Sequence, residues 1–258
     1  YEQSNKKMEA RKGFVVPGPK KRELAIGSKT GLSDEMKMAF ADDGNFFKPI
    51  PKPGVDDWLH GSTKPGQNYT KFSTMTHNAP SRVKTTIYIQ PLDPQITPEL
   101  LEVLETFATQ FFLGLKVKIQ EPLNVETMGI KHRPRSYGNQ YSGSQILTKL
   151  KSKIPRDAFC RVGCMMEDIY HREAGNYVFG LAGVNTGVFS FARYNPLFWD
   201  EPETEETIDI IYYRSCKTLC HEICHLFGIK HCTYFSCLMQ GSNHIEEAGT
   251  KTFFLCPM

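Results

Sequence analysis

The sequence contains no uncharged apolar run that approaches the roughly 18 residues of a membrane-spanning helix. Its first residues, YEQSNKKMEARKG, also lack the apolar centre of a secretory signal peptide. Neither sign of charge predominates, because the 258 residues carry a formal net charge of only +3. With 40% apolar residues, the chain is too apolar to be wholly disordered and too balanced in charge to be a dedicated nucleic-acid binder. We therefore expect a globular protein with no membrane partner.

Cysteine is absent from residues 1–82, so this segment cannot block a metal ion through a thiolate. All eight cysteines of the chain lie between Cys160 and Cys256, and several are next to histidines. This clustering favours metal chemistry in a reducing compartment over a disulfide framework. We expect an intracellular protein, either cytoplasmic or nuclear.

The composition divides the chain at about residue 82. Residues 1–82 carry 14 Lys and Arg against 9 Asp and Glu, whereas the rest of the chain carries 17 against 19. The first part is rich in Pro, Gly and Lys and contains only short candidate helices such as LSDEMKMAF. We predict a basic, partly ordered extension over residues 1–82 and a compact domain over residues 83–258. The basic clusters at residues 6–7 and 20–22 are interpreted as solvated charge, not as a surface for nucleic acid or lipid.

The hydrophobic pattern of residues 83–258 predicts a mixed fold without internal repeats. TTIYIQPL and LKVKIQEP are typical of strands, and the helix between them begins at Pro98 with Thr97 as its cap. RPRSYGNQYSGS predicts a loop before the helix QILTKLKSKI.

FCRVGCMMEDIY then predicts a further strand. YVFGLAGVNTGVFSFARY predicts two strands joined around Asn185 and Gly187. We expect a compact mixed fold of the α+β class. The strand pair at residues 177–194 is our candidate for a sheet edge that would hold an extended peptide.

The segment ETIDIIYYRSCKTLCHEICHLFG places apolar residues at helical spacing and stops at Gly228, the residue type expected in a left-handed C-terminal turn. In this helix His221 and His225 lie one turn apart on the same face, so both imidazoles can bind one ion. Glu222 is displaced by about 100° from His221, which suits a general base beside the metal.

Gly228 ends this helix and lets the chain reverse, which brings His231 back as a third ligand. Three neutral nitrogens leave the fourth position of a tetrahedral zinc ion open, and an open position is typical of a catalytic site. The sequence therefore predicts catalytic zinc at His221, His225 and His231.

The pattern HExxHxxGxxH at residues 221–231, followed by Met239 in a turn, resembles the signature of the metzincins. Cys232 directly after the third histidine, together with the spacing CxxxxCxM, is similar to the archaemetzincins, in particular to their second vertebrate type. The resemblance is close from the helix that carries His221 and His225 to the C terminus, and it is weaker over residues 83–220.

This resemblance implies a metzincin-like fold, in which a twisted mixed β-sheet packs on helices. A long active-site helix ends at Gly228, and a small C-terminal subdomain follows it. The resemblance also implies that the three histidines bind catalytic zinc, that Glu222 is the base and acid, and that Met239 is the turn methionine beneath the metal. Some relatives have a tyrosine where Gln240 follows Met239, and Tyr234 is only a weak substitute, so no transition-state donor is assigned.

In the archaemetzincins the cysteines after the third histidine, with a closing CxxC pair, hold a second, structural zinc. Cys232, Cys237 and Cys256 occupy three of those positions. The fourth position would follow Met258 directly, so we expect the given chain to stop one residue short of it. A site with three thiolates would bind zinc more weakly, take water as its fourth ligand, or bind no zinc.

The function implied by these residues and by the resemblance is that of a zinc metallopeptidase, a hydrolase that could act as an aminopeptidase on small peptides. Its partner is a peptide or protein substrate, and we expect a monomer that does not bind nucleic acid. Two alternatives remain open: a zinc-stabilised peptide or protein binding module with little or no peptidase activity, and an adaptor that works through the basic extension.

The remaining cysteines and histidines are interpreted as structural. Cys216, Cys220 and Cys224 form a stripe on the long helix, and Cys160 and Cys164 share one strand face; packing is favoured over metal binding for both sets. Five histidines lack partners at ligand spacing, and of these His244 lies nearest to the methionine turn. They are His60, His77, His132, His171 and His244.

Overall fold

The structure of the chain is a computed structural model that describes residues 13–41, 46–62, 65–94, 96–202 and 204–258. The chain forms two compact units. The sheet unit is Thr76–Ile229, and the terminal unit combines the described residues of Tyr1–Met75 with Lys230–Met258. The basic cluster at residues 6–7 lies outside the described residues, and the predicted division at residue 82 stays a prediction.

A five-stranded sheet forms the centre of the sheet unit. Its strands are β1 (Thr86–Pro91), β2 (Lys116–Ile119), β5 (Ala158–Met165), β7 (Gly180–Ala182) and β8 (Thr186–Ser190), and they lie in the order β2-β1-β5-β8-β7. Three pairs are parallel, and β7 alone runs antiparallel, against β8. The predicted strand pair near residues 177–194 therefore ends with β7 at an edge of this sheet.

A second, three-stranded sheet consists of β3 (His132–Arg135), β4 (Gly138–Ser142) and β6 (Asp168–Tyr170), in the order β3-β4-β6. The loop predicted for residues 133–144 is wrong, because most of this segment forms the β3–β4 hairpin. Pro134 and the charged residues around it suggested a loop, but β3 is an edge strand, where proline and charge are tolerated.

The single strand predicted at FCRVGCMMEDIY is divided between the two sheets. The backbone N–H of Met166 donates to the carboxylate of Asp93, so it does not continue the ladder of β5. The chain then enters β6 in the other sheet. Strand β5 therefore ends where a side chain distant in sequence accepts the next backbone N–H. The hydrophobic pattern of the segment gives no indication of this bond.

Three helices of the sheet unit pack on the five-stranded sheet or on each other: α4 (Pro98–Phe111), α5 (Gly143–Ser152) and α6 (Glu205–Leu226). The predicted cap of α4 is confirmed, because the Thr97 side chain accepts from the Leu100 N–H at 3.2 Å. The side chain of Thr204 accepts from the N–H of Thr207, and the Thr207 hydroxyl in turn accepts from the N–H of Thr204. This reciprocal cap fixes the start of the long helix.

The core of the sheet unit lies between the central strands and the helices. Ile87, Ile89, Val162 and Val188 on these strands are all 0% exposed, and burying such a side chain contributes about 1.5–3 kcal/mol. At the end of α6 the ring of Phe227 stacks on Phe112, with centroids 5.7 Å apart. This packing holds the C-terminal end of the long helix against the core.

The terminal unit contains four short helices among its described residues: α1 (Pro19–Ile26), α2 (Asp34–Ala39), α3 (Tyr69–Thr74) and α7 (Ile245–Gly249). Its two chain segments pair directly, since the Ile50 N–H donates to the Tyr234 carbonyl at 3.0 Å and the Ser236 N–H donates to the Lys48 carbonyl at 2.8 Å. Residues near position 50 therefore form one body with residues near position 235.

The mixed sheet, the packed helices and the long helix that ends before Gly228 confirm the predicted α+β fold. Within the described part of the chain, no helix combines the length and the apolar character that crossing a bilayer requires.

Candidate metal centre and active site

The long helix α6 places His221 and His225 one turn apart, and their ring centroids lie 4.6 Å from each other at an interplanar angle of 86°. His221 and the neighbouring Glu222 are both buried, each with 6% of its surface exposed. The sequence predicted two imidazoles one turn apart with a carboxylate beside them, but not the burial of Glu222.

The turn after α6 is built around Gly228, whose φ is 87°. The Gly228 N–H donates to the His225 carbonyl at 2.9 Å, and the Ile229 N–H donates to the Cys224 carbonyl at 3.2 Å. These two bonds form a Schellman motif, which satisfies the last carbonyls of the helix and reverses the chain. The chain therefore turns back three residues before His231.

The orientation of the His225 ring is fixed by a 2.6 Å hydrogen bond between its Nδ1 atom and the Ile229 carbonyl oxygen. Because a carbonyl oxygen can only accept, Nδ1 carries the proton and Nε2 is the nitrogen with a lone pair. A backbone carbonyl that orients a ligand in this way is typical of histidines that bind metals.

One ligand atom from each of His221, His225 and His231 lies within 4.8 Å of the others. Three imidazole nitrogens at this spacing fit a tetrahedral zinc ion that keeps an open position. The His231 ring also contacts Trp58, edge to face, at a centroid distance of 4.7 Å.

The carboxylate of Glu222 lies against the backbone of Gly180 on β7. A Cβ atom at position 180 would lie 2.3 Å from the carboxyl carbon of Glu222 and 2.3 Å from its Oε1. Near Glu222 in the chain, the Thr218 hydroxyl forms a 2.6 Å hydrogen bond with the Tyr194 hydroxyl, and the ring of Phe179 stacks on that of Tyr194 with centroids 5.4 Å apart. Burial raises the pKa of Tyr194, and the negative charge of Glu222 raises it further, so this phenol stays protonated.

The terminal unit groups Cys232, Cys237 and Cys256, whose sulfur atoms all lie within 4.8 Å of one another. The Sγ atoms of Cys232 and Cys256 are 3.7 Å apart. The thiols of Cys237 and Cys256 donate to Cys232, and with two backbone N–H groups they hold the pKa of Cys232 well below its usual range. A thiolate stabilised in this way suits a metal that binds sulfur ligands, such as zinc.

Tight backbone bonds hold the cysteine group together. The Cys232 N–H donates to the Met239 carbonyl at 2.7 Å, and the Gln240 N–H donates to the Cys237 carbonyl at 3.1 Å. The Leu238 N–H donates to the Phe254 carbonyl at 2.8 Å, which draws the last residues, and with them Cys256, toward this turn. Met239 is buried in the turn with 2% of its surface exposed.

The other five cysteines are buried and belong to no group of potential metal ligands among the described residues. Burial raises the pKa of Cys216 and of Cys224 to about 12, and it also raises the pKa values of Cys160, Cys164 and Cys220. Thiols with such pKa values stay protonated near neutral pH, which agrees with the interpretation that they pack in the core.

His244 has partners that the sequence did not reveal. Its Nε2 atom lies 3.1 Å from Asp57 Oδ1, and its Nδ1 atom lies 2.9 Å from Glu246 Oε2. Asp57, His244 and Glu247 form a third group of potential metal ligands. In this group Asp57 already accepts from the Gly54 N–H at 2.6 Å, and Glu247 accepts from the Trp58 N–H at 3.0 Å. It is therefore a hydrogen-bonded cluster that joins the two segments of the terminal unit.

His60, His77, His132 and His171 join none of the groups of potential metal ligands within the described residues. Two residues of the site were missed at the level of sequence. Trp58 contacts His231 from a distant part of the chain, and no local pattern pointed to that contact. Gly180 did carry a signal, because a glycine inside a strand often marks the close approach of another group.

Comparison with known proteins gives a consistent result. Residues 118–258 match peptidase family M54. The chain is 36% identical over 255 residues to archaemetzincin-2 of Rattus norvegicus, an alignment that covers 86% of this chain and 71% of the relative. It is also 36% identical over 255 residues to archaemetzincin-2 of Homo sapiens, with the same coverage. Against archaemetzincin-1 of Homo sapiens it is 29% identical over 234 residues, which cover 78% of this chain and 47% of that protein.

Two solved structures are similar to the chain. The archaemetzincin of Methanopyrus kandleri matches with a TM-score of 0.53 and 26% identity, over 69% of this chain and 92% of that one. A zinc-dependent peptidase from Methanocorpusculum labreanum matches with a TM-score of 0.54 and 19% identity, over 66% of this chain and 95% of that one. The second likeness concerns the fold alone.

Proposed function

The chain belongs to the archaemetzincins, peptidase family M54, a family of zinc metallopeptidases, and from this membership we propose that it hydrolyses peptide bonds with zinc held by His221, His225 and His231. The observation that carries the proposal is the grouping of three imidazole nitrogens within 4.8 Å. The hydrogen bond from His225 Nδ1 to the Ile229 carbonyl supports it, because it presents Nε2 to the metal.

Zinc held by these histidines would supply a Lewis acid for the scissile carbonyl and for the attacking water. Glu222 would take a proton from the attacking water as general base and return it to the leaving amine as general acid. Its burial beside His221 supports this role, since an excluded site strengthens the interaction of the carboxylate with the charges of the reaction. This mechanism requires no covalent intermediate.

The substrate peptide is proposed to bind along β7. This strand ends the order of the five-stranded sheet, and among the described residues it pairs with β8 on one side only. An extended peptide could add to its other side through backbone hydrogen bonds. Gly180, at the start of β7, lies against Glu222, so a peptide on this strand would pass close to the proposed base. Small peptides cleaved from the amino end are the proposed substrates.

Cys232, Cys237 and Cys256 are proposed to hold a second, structural zinc through three sulfur ligands. Their mutual distances and the low pKa of Cys232 support the assignment. We further propose that residues 83–258 form the peptidase domain, that residues 1–82 form a basic extension, and that Met239 is the turn methionine of the catalytic site. A monomer inside the cell is proposed as well; the eight free thiols support the location.

The experiment that tests the proposal measures zinc per chain by elemental analysis and hydrolysis of a fluorogenic peptide panel with free and blocked amino ends. We expect His225→Ala to lose about one zinc per chain, and Glu222→Gln to keep its zinc while hydrolysis falls by at least about 100-fold. Preference for free amino ends would support the aminopeptidase assignment. Folded wild-type protein without zinc would contradict the proposal. Zinc without hydrolysis would favour the alternative function, a zinc-stabilised binding module.

A further inference from the structure

The side chain of Glu222 lies so close to the backbone of Gly180 that no Cβ atom fits at position 180. A Cβ atom there would lie 2.3 Å from Cδ, 2.3 Å from Oε1 and 2.6 Å from Cγ of Glu222. These separations are far below the roughly 3.5–4.0 Å of ordinary nonbonded contacts. The space that a side chain would occupy is therefore filled by the carboxylate of the proposed base.

The backbone at position 180 does not itself demand glycine. Gly180 is not among the described glycines with positive φ, so other residues could adopt its conformation without strain. What excludes a side chain is the position of Glu222. This separates Gly180 from Gly228, whose φ of 87° requires glycine independently of its neighbours.

Hydrogen bonds and core packing hold strand β7 in its position beside Glu222. Gly180 pairs with Phe189 in the antiparallel β7–β8 ladder, and the Ser190 N–H donates to the Phe179 carbonyl at 2.9 Å. The next residue, Leu181, packs against the hydrophobic core. The Glu222 carboxylate, by contrast, ends a side chain with three rotatable bonds. A methyl group at position 180 would therefore displace the Glu222 side chain and not the strand.

We infer that Gly180 is a positioning residue, which fixes the Glu222 carboxylate for proton transfer because it has no side chain. The inference rests on the proposed function, in which Glu222 is the base. Proton transfer requires the base within hydrogen-bond reach of the proton it takes. A carboxylate displaced by a methyl group loses that reach, although the fold and the three histidines are intact.

The first test compares Gly180→Ala with wild type and with Gly143→Ala. Gly143 is the matched control, because a Cβ there would also approach β7, at 3.4 Å from Leu181 Cδ2, but makes only ordinary contacts. We expect Gly180→Ala to retain its zinc and its melting temperature, to lower kcat by about 100-fold, and to leave KM within about twofold. Gly143→Ala should keep kcat near the wild-type value. A kcat for Gly180→Ala within about twofold of wild type would overturn the inference.

The second test needs no hydrolysis and uses the affinity of a short peptide hydroxamate, which binds zinc and gives its proton to a nearby carboxylate. Gly180→Ala should weaken hydroxamate binding by about tenfold in the wild-type background, but by no more than about twofold in the Glu222→Gln background. An equal loss in both backgrounds would show that position 180 acts on the ligand directly, and would overturn the inference. If wild type binds zinc and hydroxamate but hydrolyses nothing in the panel, the proposed function fails while this cycle still decides the role of Gly180.

Discussion

The indole ring of Trp58 lies edge-on to the imidazole of His231, with ring centroids 4.7 Å apart and an interplanar angle of 84°. The same indole fills the space beside Gly241, where a Cβ atom would lie 2.3 Å from the ring. The backbone N–H of Trp58 donates to both carboxylate oxygens of Glu247, at 3.0 and 3.1 Å. A residue from the amino-terminal part of the chain thus supports one of the three predicted zinc ligands.

Replacing Trp58 with alanine should weaken zinc binding, because the His231 ring would lose the surface that limits its rotation. Outer-shell partners of metal ligands typically contribute 10–100-fold to affinity, so we expect a loss of about tenfold. Competition with a chromophoric zinc chelator measures this loss. Trp199→Ala is the control, since it removes the other of the two tryptophans. An unchanged zinc affinity in Trp58→Ala would contradict a supporting role for the indole.

The contacts of Trp58 could not be predicted from the sequence, whereas the pattern of the three histidines could. The ligand pattern was predictable because helix geometry fixes the spacing of His221 and His225, and because the turn at Gly228 depends on a few adjacent residues. Trp58 reaches His231 only through the tertiary fold, which no local pattern encodes. For the same reason the sequence indicated a glycine inside a strand at position 180 but could not name Glu222 as its neighbour.

In the fold, too, the elements that depend on local patterns were predicted and an element that depends on strand pairing was missed. Strongly periodic segments such as the strand ending at Pro91 and the helix beginning at Pro98 lie where the pattern predicted them. The β3–β4 hairpin was missed because Pro134 and Arg135 are unusual in central strands, yet β3 is an edge strand. Edge position depends on which strands pair, and that information is not local.

Replacing Gly228 with alanine should destabilise the end of the active-site helix and reduce zinc binding. Its φ of 87° and the 2.6 Å separation between an added Cβ and the Cβ of His77 both oppose a side chain. Gly114 is a matched control, because its φ is 90° but a Cβ there would meet nothing within 4 Å. Backbone strain costs both variants about 1–2 kcal/mol, so the additional loss in Gly228→Ala measures the clash.

Urea denaturation and zinc analysis of these two variants distinguish the effects. We expect Gly228→Ala to lose more stability than Gly114→Ala and to bind zinc more weakly, because its turn leads the chain back toward His231. Equal stability losses and equal zinc contents in the two variants would show that the turn tolerates a side chain and that the clash relaxes freely.

Replacing Cys232 with serine should remove the second zinc and leave the histidine site occupied. The Cys232 sulfur accepts from the N–H groups of Tyr234 and Phe235, each at 3.5 Å, so it is the thiolate of the group that the backbone stabilises most directly. We expect a loss of about one zinc per chain with hydrolysis retained at low temperature. Cys160→Ala, in the core of the sheet unit, should leave the zinc content unchanged. Loss of zinc in Cys160→Ala as well would indicate general unfolding instead of a cysteine site.

The contact between Asp57 and His244 predicts that the stability of the terminal unit depends on pH. The hydrogen bond to Glu246 raises the pKa of His244 above its usual value of 6.5, burial opposes this rise, and the hydrogen bond to Asp57 adds to it. A raised pKa in the folded state stabilises the protein below the unfolded value, and this contribution is lost as the pH rises through the folded pKa. The hydrogen bond from the Gly54 N–H lowers the pKa of Asp57 below 3.8, so Asp57 remains charged throughout this range.

The histidine contribution should therefore be present at about pH 5.5 and absent at about pH 9, well above the usual range of histidine pKa values. His244→Gln keeps a polar side chain but cannot titrate, so the difference in melting temperature between wild type and this variant should be larger at the lower pH. The melting temperatures are measured with zinc in excess, because ligation by the three zinc-site histidines also depends on pH. A difference that is independent of pH, or larger at the higher pH, would exclude a protonated His244 as the group that joins Asp57 to the segment around α7.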